Sequence, residues 1–391
     1  MSEQTAVEVS ALQNAPVPSA EGIAFGTVDC DVHPHLKDGL RSLHPYLTDA
    51  WRRRLLGASS APGKGMDVYA SQFTLPKNDL YINPVGAMRR DAFPADGSVP
   101  GSDPGLMASQ LLDGCGIDRA VLIGGNVLGL GALPDPDVAA VIAAAYNDWL
   151  DGQWLQVDRR FRGALVVAPQ DPAQAVAEID RAGDRAGIVQ VFLPLIGTLM
   201  GDRHYYPIYE AAQRHGLPIS VHPNSVDGIF QRGPTMAGGV PTYYVEWHTA
   251  LSQIFQANVI SLVCHGVFER FPKLMVVITE GGFAWLPEVM WRLDKDWESL
   301  RDEVPWVKRR PSDYVLEHVR LTTQPFPEPP KREHLRAMLD MVHADRTLLF
   351  SSDYPHWDFD NSLRCLHAVP AETRTRIRSG TAIELYGDRL N

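Results

Sequence analysis

Basic charge is the first thing this chain lacks. Its 391 residues carry 36 Lys and Arg against 47 Asp and Glu, a formal charge of −11, whereas a surface that tracks nucleic-acid phosphates needs a basic excess. Cysteine is scarce too. Cys30, Cys115, Cys264 and Cys365 stand far apart with no C-x-x-C pair, which argues against a zinc knuckle or a disulfide framework and predicts a reducing compartment. No apolar run approaches the roughly 20 residues of a membrane span. The first 25 residues are polar, Ala-rich and acidic, unlike a basic segment followed by an apolar one, so no leader is read there. Neither a G-x-G-x-x-G nor a Walker sequence occurs, which removes the usual phosphate loops. These absences predict a cytoplasmic protein that binds neither nucleic acid nor membrane.

What is present fits a large core: 45% hydrophobic and 21% charged residues lie close to globular averages. Residues 1–26 read as a flexible arm. Gly26-Thr27-Val28-Asp29-Cys30-Asp31-Val32-His33 then begins a period-two pattern, the mark of a strand. Residues 36–117 are irregular, with Gly/Pro/Ser-rich stretches at 57–65 and 94–105; loops of that length are usually lids or partner arms, or else disordered. From 118 onward short apolar runs alternate with amphipathic ones. Strands are predicted at 119–124, 163–168, 188–193, 218–222, 274–279, 318–323 and 347–352, with helices at 137–157, 172–186, 204–215, 243–265, 283–301, 331–342 and 370–386. With the first strand that makes eight. The expectation is a TIM (β/α)8 barrel occupying 27–391, with a long insertion after its first strand, used as a lid or an oligomer arm.

Catalytic groups of such a barrel sit at the C-terminal ends of the strands, and ionisable residues recur there. The first strand carries Asp29, Asp31, His33 and His35 at spacing two, so an unbroken strand points all four to one side, with Pro34 as the place where it can end. The fifth strand ends at His222-Pro223, the sixth at Glu280-Gly281-Gly282, and the eighth at Asp353-Tyr354-Pro355-His356. A carboxylate closing a strand can merely cap the next helix; recurrence at the same end of several strands argues for a shared site. His33, His35 and His222 with Asp353, Glu280 and Asp31 form a nitrogen and oxygen donor set without thiolate, suited to Zn, Mn or Fe.

These segments, together with Gly266-Val267-Phe268-Glu269-Arg270-Phe271-Pro272-Lys273-Leu274, resemble the amidohydrolase superfamily. The branch they resemble is the amidohydrolase-2, aminocarboxymuconate-semialdehyde decarboxylase-like group. That resemblance implies a catalytic divalent metal, most commonly Zn. It assigns His33 and His35 as first-strand ligands, His222 as the fifth-strand ligand, and Asp353 as the eighth-strand carboxylate that binds metal and manages a proton. Glu280 departs from the pattern, standing where many relatives carry a sixth-strand His.

Further candidates are weaker. Glu246 and His248 open the helix after the fifth strand and either line the site, supply ligands to a second metal, or face solvent. His356 is a candidate for substrate or ligand hydrogen bonding. Arg89 and Arg90 are candidates to clamp a carboxylate, and His265, before Gly266, reads more simply as a helix C-terminal residue. The expected activity is hydrolysis or decarboxylation of a small organic acid, amide or lactone. The alternative is a dinuclear Fe or Mn–Fe oxygenase of the 2-aminoisobutyrate hydroxylase type, which the extra hard ligand Glu280 favours. A partner subunit without activity is disfavoured by the full ligand set. A homo-oligomer, namely a dimer, or a hetero-oligomer with a paralogous subunit, is expected.

Overall fold

A computed structural model describes residues 25–56, 88–224, 239 and 241–391. Eight strands form one sheet in sequence order: β1 Val28–Val32, β2 Arg119–Leu122, β3 Phe161–Val166, β4 Ile188–Phe192, β5 Ile219–Val221, β6 Val276–Ile278, β7 Val319–Thr322 and β8 Leu348–Leu349. Every ladder between neighbours is parallel. The seam from β8 back to β1 is bridged by Cys30 N–H to Phe350 O (2.9 Å), Asp353 N–H to Asp31 O (3.1 Å) and His33 N–H to Tyr354 O (2.8 Å). The result is a TIM barrel. Its strands are apolar and almost entirely buried, as expected of parallel strands covered on both faces.

The helices confirm the amphipathic reading with shorter bounds. Asp135 and Asp171 accept from the first backbone N–H groups of α1 (Pro136–Leu150) and α2 (Pro172–Ala182), each with Pro in the first turn, satisfying donors that a helix start leaves unpaired. The helix expected at 243–265 is two, α3 (Tyr244–Ala250) and α4 (Ser252–Cys264), separated at Leu251. The described part of the 36–117 segment has more structure than its composition announces. A 3-10 run at Gly39–Tyr46 and helical turns at Asp49–Leu56 and Pro104–Met107 bury Leu40, Leu43, Leu55 and Met107 in the main core. The 57–65 stretch and residues 1–24 lie outside the described residues.

One irregularity decides the chemistry. The β1–β2 register shifts between Asp29 and Val32, and such a bulge re-aims the side chains beyond it. Below it, Val28 and Cys30 join Val121, Val189, Val277 and Leu349 in an apolar cluster closed by Ala382, Tyr386 and Leu390 of the C-terminal segment. Beyond it, Asp31 and His33 face the site. Asp29 is therefore separated from the residues that an unbroken alternation would align it with. Its Oδ1 accepts from the backbone N–H of Asp31 (3.2 Å) and Ser352 (3.0 Å), tying β1 to the chain after β8, and burial pushes its carboxyl up to about 8.

Candidate metal centre

Three strand ends converge. Asp31 and His33 close β1, His222 follows β5 and Asp353 follows β8; one ligand atom from each lies within 4.8 Å of the others. All four residues are buried. His33 Nδ1 is 2.8 Å from the carbonyl of Ile123. A carbonyl only accepts, so Nδ1 carries the proton and Nε2 presents its lone pair, the usual arrangement of a metal-binding imidazole. That Nε2 lies 2.9 Å from Asp353 Oδ1 and 3.3 Å from Asp31 Oδ1. His222 repeats the device: Nδ1 donates to Pro223 O at 2.6 Å, and Nε2 faces Glu280 Oε2 at 3.2 Å and Asp31 Oδ2 at 3.5 Å.

Lone pairs and carboxylate oxygens, all acceptors, thus face one another in a buried space. Both oxygens of Asp31, Nε2 of His33, Nε2 of His222 and Oδ2 of Asp353 make no hydrogen bond. Buried polar atoms left without partners are costly, and a divalent cation at their centre removes the cost for all of them together. The donor set, two imidazoles and two carboxylates, fits such an ion. Burial opposes ionisation of Asp31, yet the imidazoles of His33 and His222 hold its pKa below the ordinary carboxylate value. Burial likewise opposes protonation of His222, but Asp31 keeps its pKa raised. Asp353 is pushed up to about 7, chiefly by burial.

The backbone is strained at two of these positions. Glu280 has φ 51° and Asp353 φ 61°, a region that residues with a Cβ rarely adopt and that clusters at functional sites. Glu280 N–H donates to Thr322 Oγ1 (2.9 Å), which helps hold it there.

His35 stands apart. It is not in the four-residue group, because β1 ends at Val32 and Pro34 follows, so the spacing-two rule no longer governs its direction. Its ring sits in space left by two glycines: a Cβ at Gly125 would overlap Nε2, and one at Gly101 would lie 2.9 Å from Nδ1. Burial holds its pKa down at about 3, so it is a neutral ring beneath the loop.

Of the weaker candidates, two reach the site. His356 Nδ1 is 2.6 Å from Asp353 Oδ1, and its ring lies 4.6 Å from that of His33, centroid to centroid; burial lowers its pKa to about 4. His248 forms a second group with Glu280 and Asp358. Glu246, by contrast, is exposed and caps its own helix, accepting from Thr242 N–H and Tyr243 N–H. His265 is exposed at the end of α4, its N–H bonded to Ser261 O, followed by the left-handed Gly266. Arg89 is committed to Asp91 through two bonds of 3.0 and 2.7 Å and stacks over Phe359, while Arg90 is exposed. Asp358 was missed by sequence reasoning; its spacing of two from His356 and five from Asp353 was the available signal.

The amidohydrolase family profile matches residues 28–387. The chain belongs to the amidohydrolase family. Relatives of this amidohydrolase include a gamma-resorcylate decarboxylase of Rhodococcus jostii (strain RHA1), 24% identical over 293 residues, 69% of this chain and 83% of that one. A 2-amino-3-carboxymuconate-6-semialdehyde decarboxylase of Dictyostelium discoideum is 22% identical over 169 residues, 43% of this chain and 45% of that protein. Among solved structures, a dihydroxybenzoic acid decarboxylase from Polaromonas sp. JS666, with bound manganese and the inhibitor 2-nitroresorcinol, superposes with a TM-score of 0.62 at 21% identity, covering 93% of this chain and 97% of that one. These matches lie in the decarboxylase-like branch that the strand-end motifs resemble. Among the described residues no helix is long and apolar enough to cross a membrane.

Proposed function

We propose that this amidohydrolase is a metal-dependent decarboxylase of a small aromatic carboxylic acid, with Asp31, His33, His222 and Asp353 holding the ion. The observation that carries this reading is the buried, acceptor-only group at the ends of β1, β5 and β8, joined to the likeness to a decarboxylase over most of its length. Manganese, present in the Polaromonas decarboxylase structure, suits this oxygen-rich set at least as well as zinc. When bound, the ion supplies a positive anchor for the substrate's oxygen atoms and stabilises negative charge that develops on them.

The chain's own residues then have defined work. Decarboxylation breaks the bond between ring carbon and carboxylate; the electron pair stays on the ring carbon, which takes a proton, and carbon dioxide leaves. That proton has to be held close to the ion. The pair His356 Nδ1 and Asp353 Oδ1, 2.6 Å apart, is the place for it. Burial favours the neutral form of His356, so its Nδ1–H stays on the ring and donates to the Asp353 carboxylate rather than exchanging freely with water. At the mouth, Tyr244 stacks on His248 and the half-exposed Trp357 lies beside it, ring centroids 5.5 and 5.8 Å away, an apolar flank for a planar ring.

The test is release of carbon dioxide by Mn2+-loaded protein from 2,6-dihydroxybenzoate and a panel of related hydroxybenzoates, with oxygen uptake followed in parallel. Turnover to the decarboxylated phenol without oxygen consumption supports the reading. Hydrolysis of lactones or amides by protein inert toward every acid would replace it with the hydrolytic alternative, and substrate-linked oxygen uptake would replace it with the oxidative one.

A further inference from the structure

Glu280 has one carboxylate oxygen toward each of two clusters. Oε2 is 3.2 Å from His222 Nε2, in the metal group described above, while Oε1 is 3.8 Å from His248 Nε2. His248 Nε2 in turn lies 3.2 Å from Asp358 Oδ2, and ligand atoms of His248, Glu280 and Asp358 all fall within 4.8 Å of one another. We propose that these three residues form a second divalent-metal site beside the first, with the Glu280 carboxylate bridging the two ions. The proposal rests on the first group holding a metal, and not on which acid is the substrate.

Three arguments carry it. The first is charge: Asp31, Asp353, Glu280 and Asp358 bring four carboxylates to one end of the barrel, and one divalent ion neutralises half of that. A second ion closes the balance, whereas an imidazolium at His248 supplies one positive charge where an ion supplies two. The second is the unpartnered nitrogen. His222, 1% exposed, has its proton on Nδ1 toward Pro223 O, so its bare Nε2 is aimed between Asp31 and Glu280 without a hydrogen bond. Cations on both sides of the Glu280 carboxylate turn that contact from a repulsion into a shared ligand shell. The third is chemistry and access. One imidazole and two carboxylates are a hard donor set for Mn2+ or Fe2+, and the three side chains, between 10% and 18% exposed, keep some contact with solvent, as a site that takes water ligands requires. Asp358 is oriented for the role by Gln324, whose Nε2 donates to Oδ2 at 2.9 Å.

The competing arrangement is a plain hydrogen-bonded pair, protonated His248 on Asp358, with a single metal below. Counting metal separates the two. Full-length protein is stripped with chelator, saturated with Mn2+, freed of unbound ion by gel filtration and assayed for manganese per chain, with the EPR spectrum recorded on the same sample. The proposal predicts about two ions in the wild type with an exchange-broadened spectrum, and about one in His248→Ala and in Asp358→Asn with the six-line spectrum of an isolated ion. Circular dichroism checks that the variants fold. One ion in the wild type overturns the second site and leaves the first intact. So do two ions retained in the variants, while none in the wild type overturns both. If a variant does not fold, the wild-type count decides.

Discussion

Replacing His35 by Ala and, separately, His33 by Ala distinguishes the geometry seen here from the one that sequence spacing alone implies. Both histidines lie in the same Asp-x-His-x-His segment, yet His33 Nε2 is 2.9 Å from Asp353 Oδ1 while His35 is outside the ligand group. The His35 ring is buried and its Nδ1 has no hydrogen-bond partner. Removing it therefore costs packing without breaking a strong interaction, on the order of 1–3 kcal/mol of stability. Its influence on the metal passes through the loop at Gly101, whose carbonyl accepts from His35 N–H at 2.8 Å. Outer groups of this kind typically change metal affinity by about 10–100-fold, or roughly 1.4–2.8 kcal/mol. His33→Ala deletes a ligand and strands Asp31 and Asp353, so its loss must exceed that range. The assay is calorimetric titration of chelator-treated protein with Mn2+, with circular dichroism confirming the fold of each variant. A folded His35→Ala protein that loses metal as completely as His33→Ala would refute the assignment and restore His35 to the ligand set.

Four other outcomes follow from the same structure. Gly101→Ala places a Cβ 2.5 Å from His33 O at φ 77°, and the left-handed backbone and the overlap together cost about 2–4 kcal/mol. Gly116→Ala, with φ 66° and no atom within 4 Å, costs about 1–2 kcal/mol; equal melting temperatures for the two variants would contradict this. Asn147 is buried, accepts from Val166 N–H and donates to Val166 O and Glu178 Oε1, so Asn147→Leu lowers stability by about 2–4 kcal/mol in a urea unfolding curve. Glu246→Ala removes a helix cap, costing about 1 kcal/mol, and leaves the decarboxylation rate within about twofold, because that carboxylate serves the backbone of α3. Chelation lowers the thermal midpoint and re-addition of metal restores it; free ion at about 100 times Kd contributes roughly 2.7 kcal/mol. A midpoint indifferent to chelator would mean that Asp31, His33, His222 and Asp353 hold no ion.

Much of this molecule is legible in its sequence because barrel strands announce themselves. Covered on both faces, they read as short apolar runs, and ionisable residues at their tips stand out against that background. Asp31, His33, His222, Glu280 and Asp353 were all visible in this way. What was not visible arises where the strand rule stops. A register shift between Asp29 and Val32 puts Cys30 with the apolar plug and frees Asp29 to bind backbone, which no alternation pattern reveals. Pro34 takes His35 out of the strand, and its final place depends on Gly101 and Gly125, the first of them 66 positions away in sequence. Glu246 is drawn to its own helix start, a local bond that wins over a distant site, whereas His248, two residues on, faces inward. The helical content of 36–117 was hidden by its Gly and Pro stretches, although the buried leucines around them carry the packing.

The central claim is that a divalent ion sits among Asp31, His33, His222 and Asp353, and anomalous diffraction from crystals soaked in Mn2+ tests it most directly. The account predicts an anomalous peak bounded by Nε2 of His33, Nε2 of His222 and the carboxylates of Asp31 and Asp353, with His35 outside coordination distance. A peak ligated by His35 in place of Asp31, or no peak among these four residues, would contradict it.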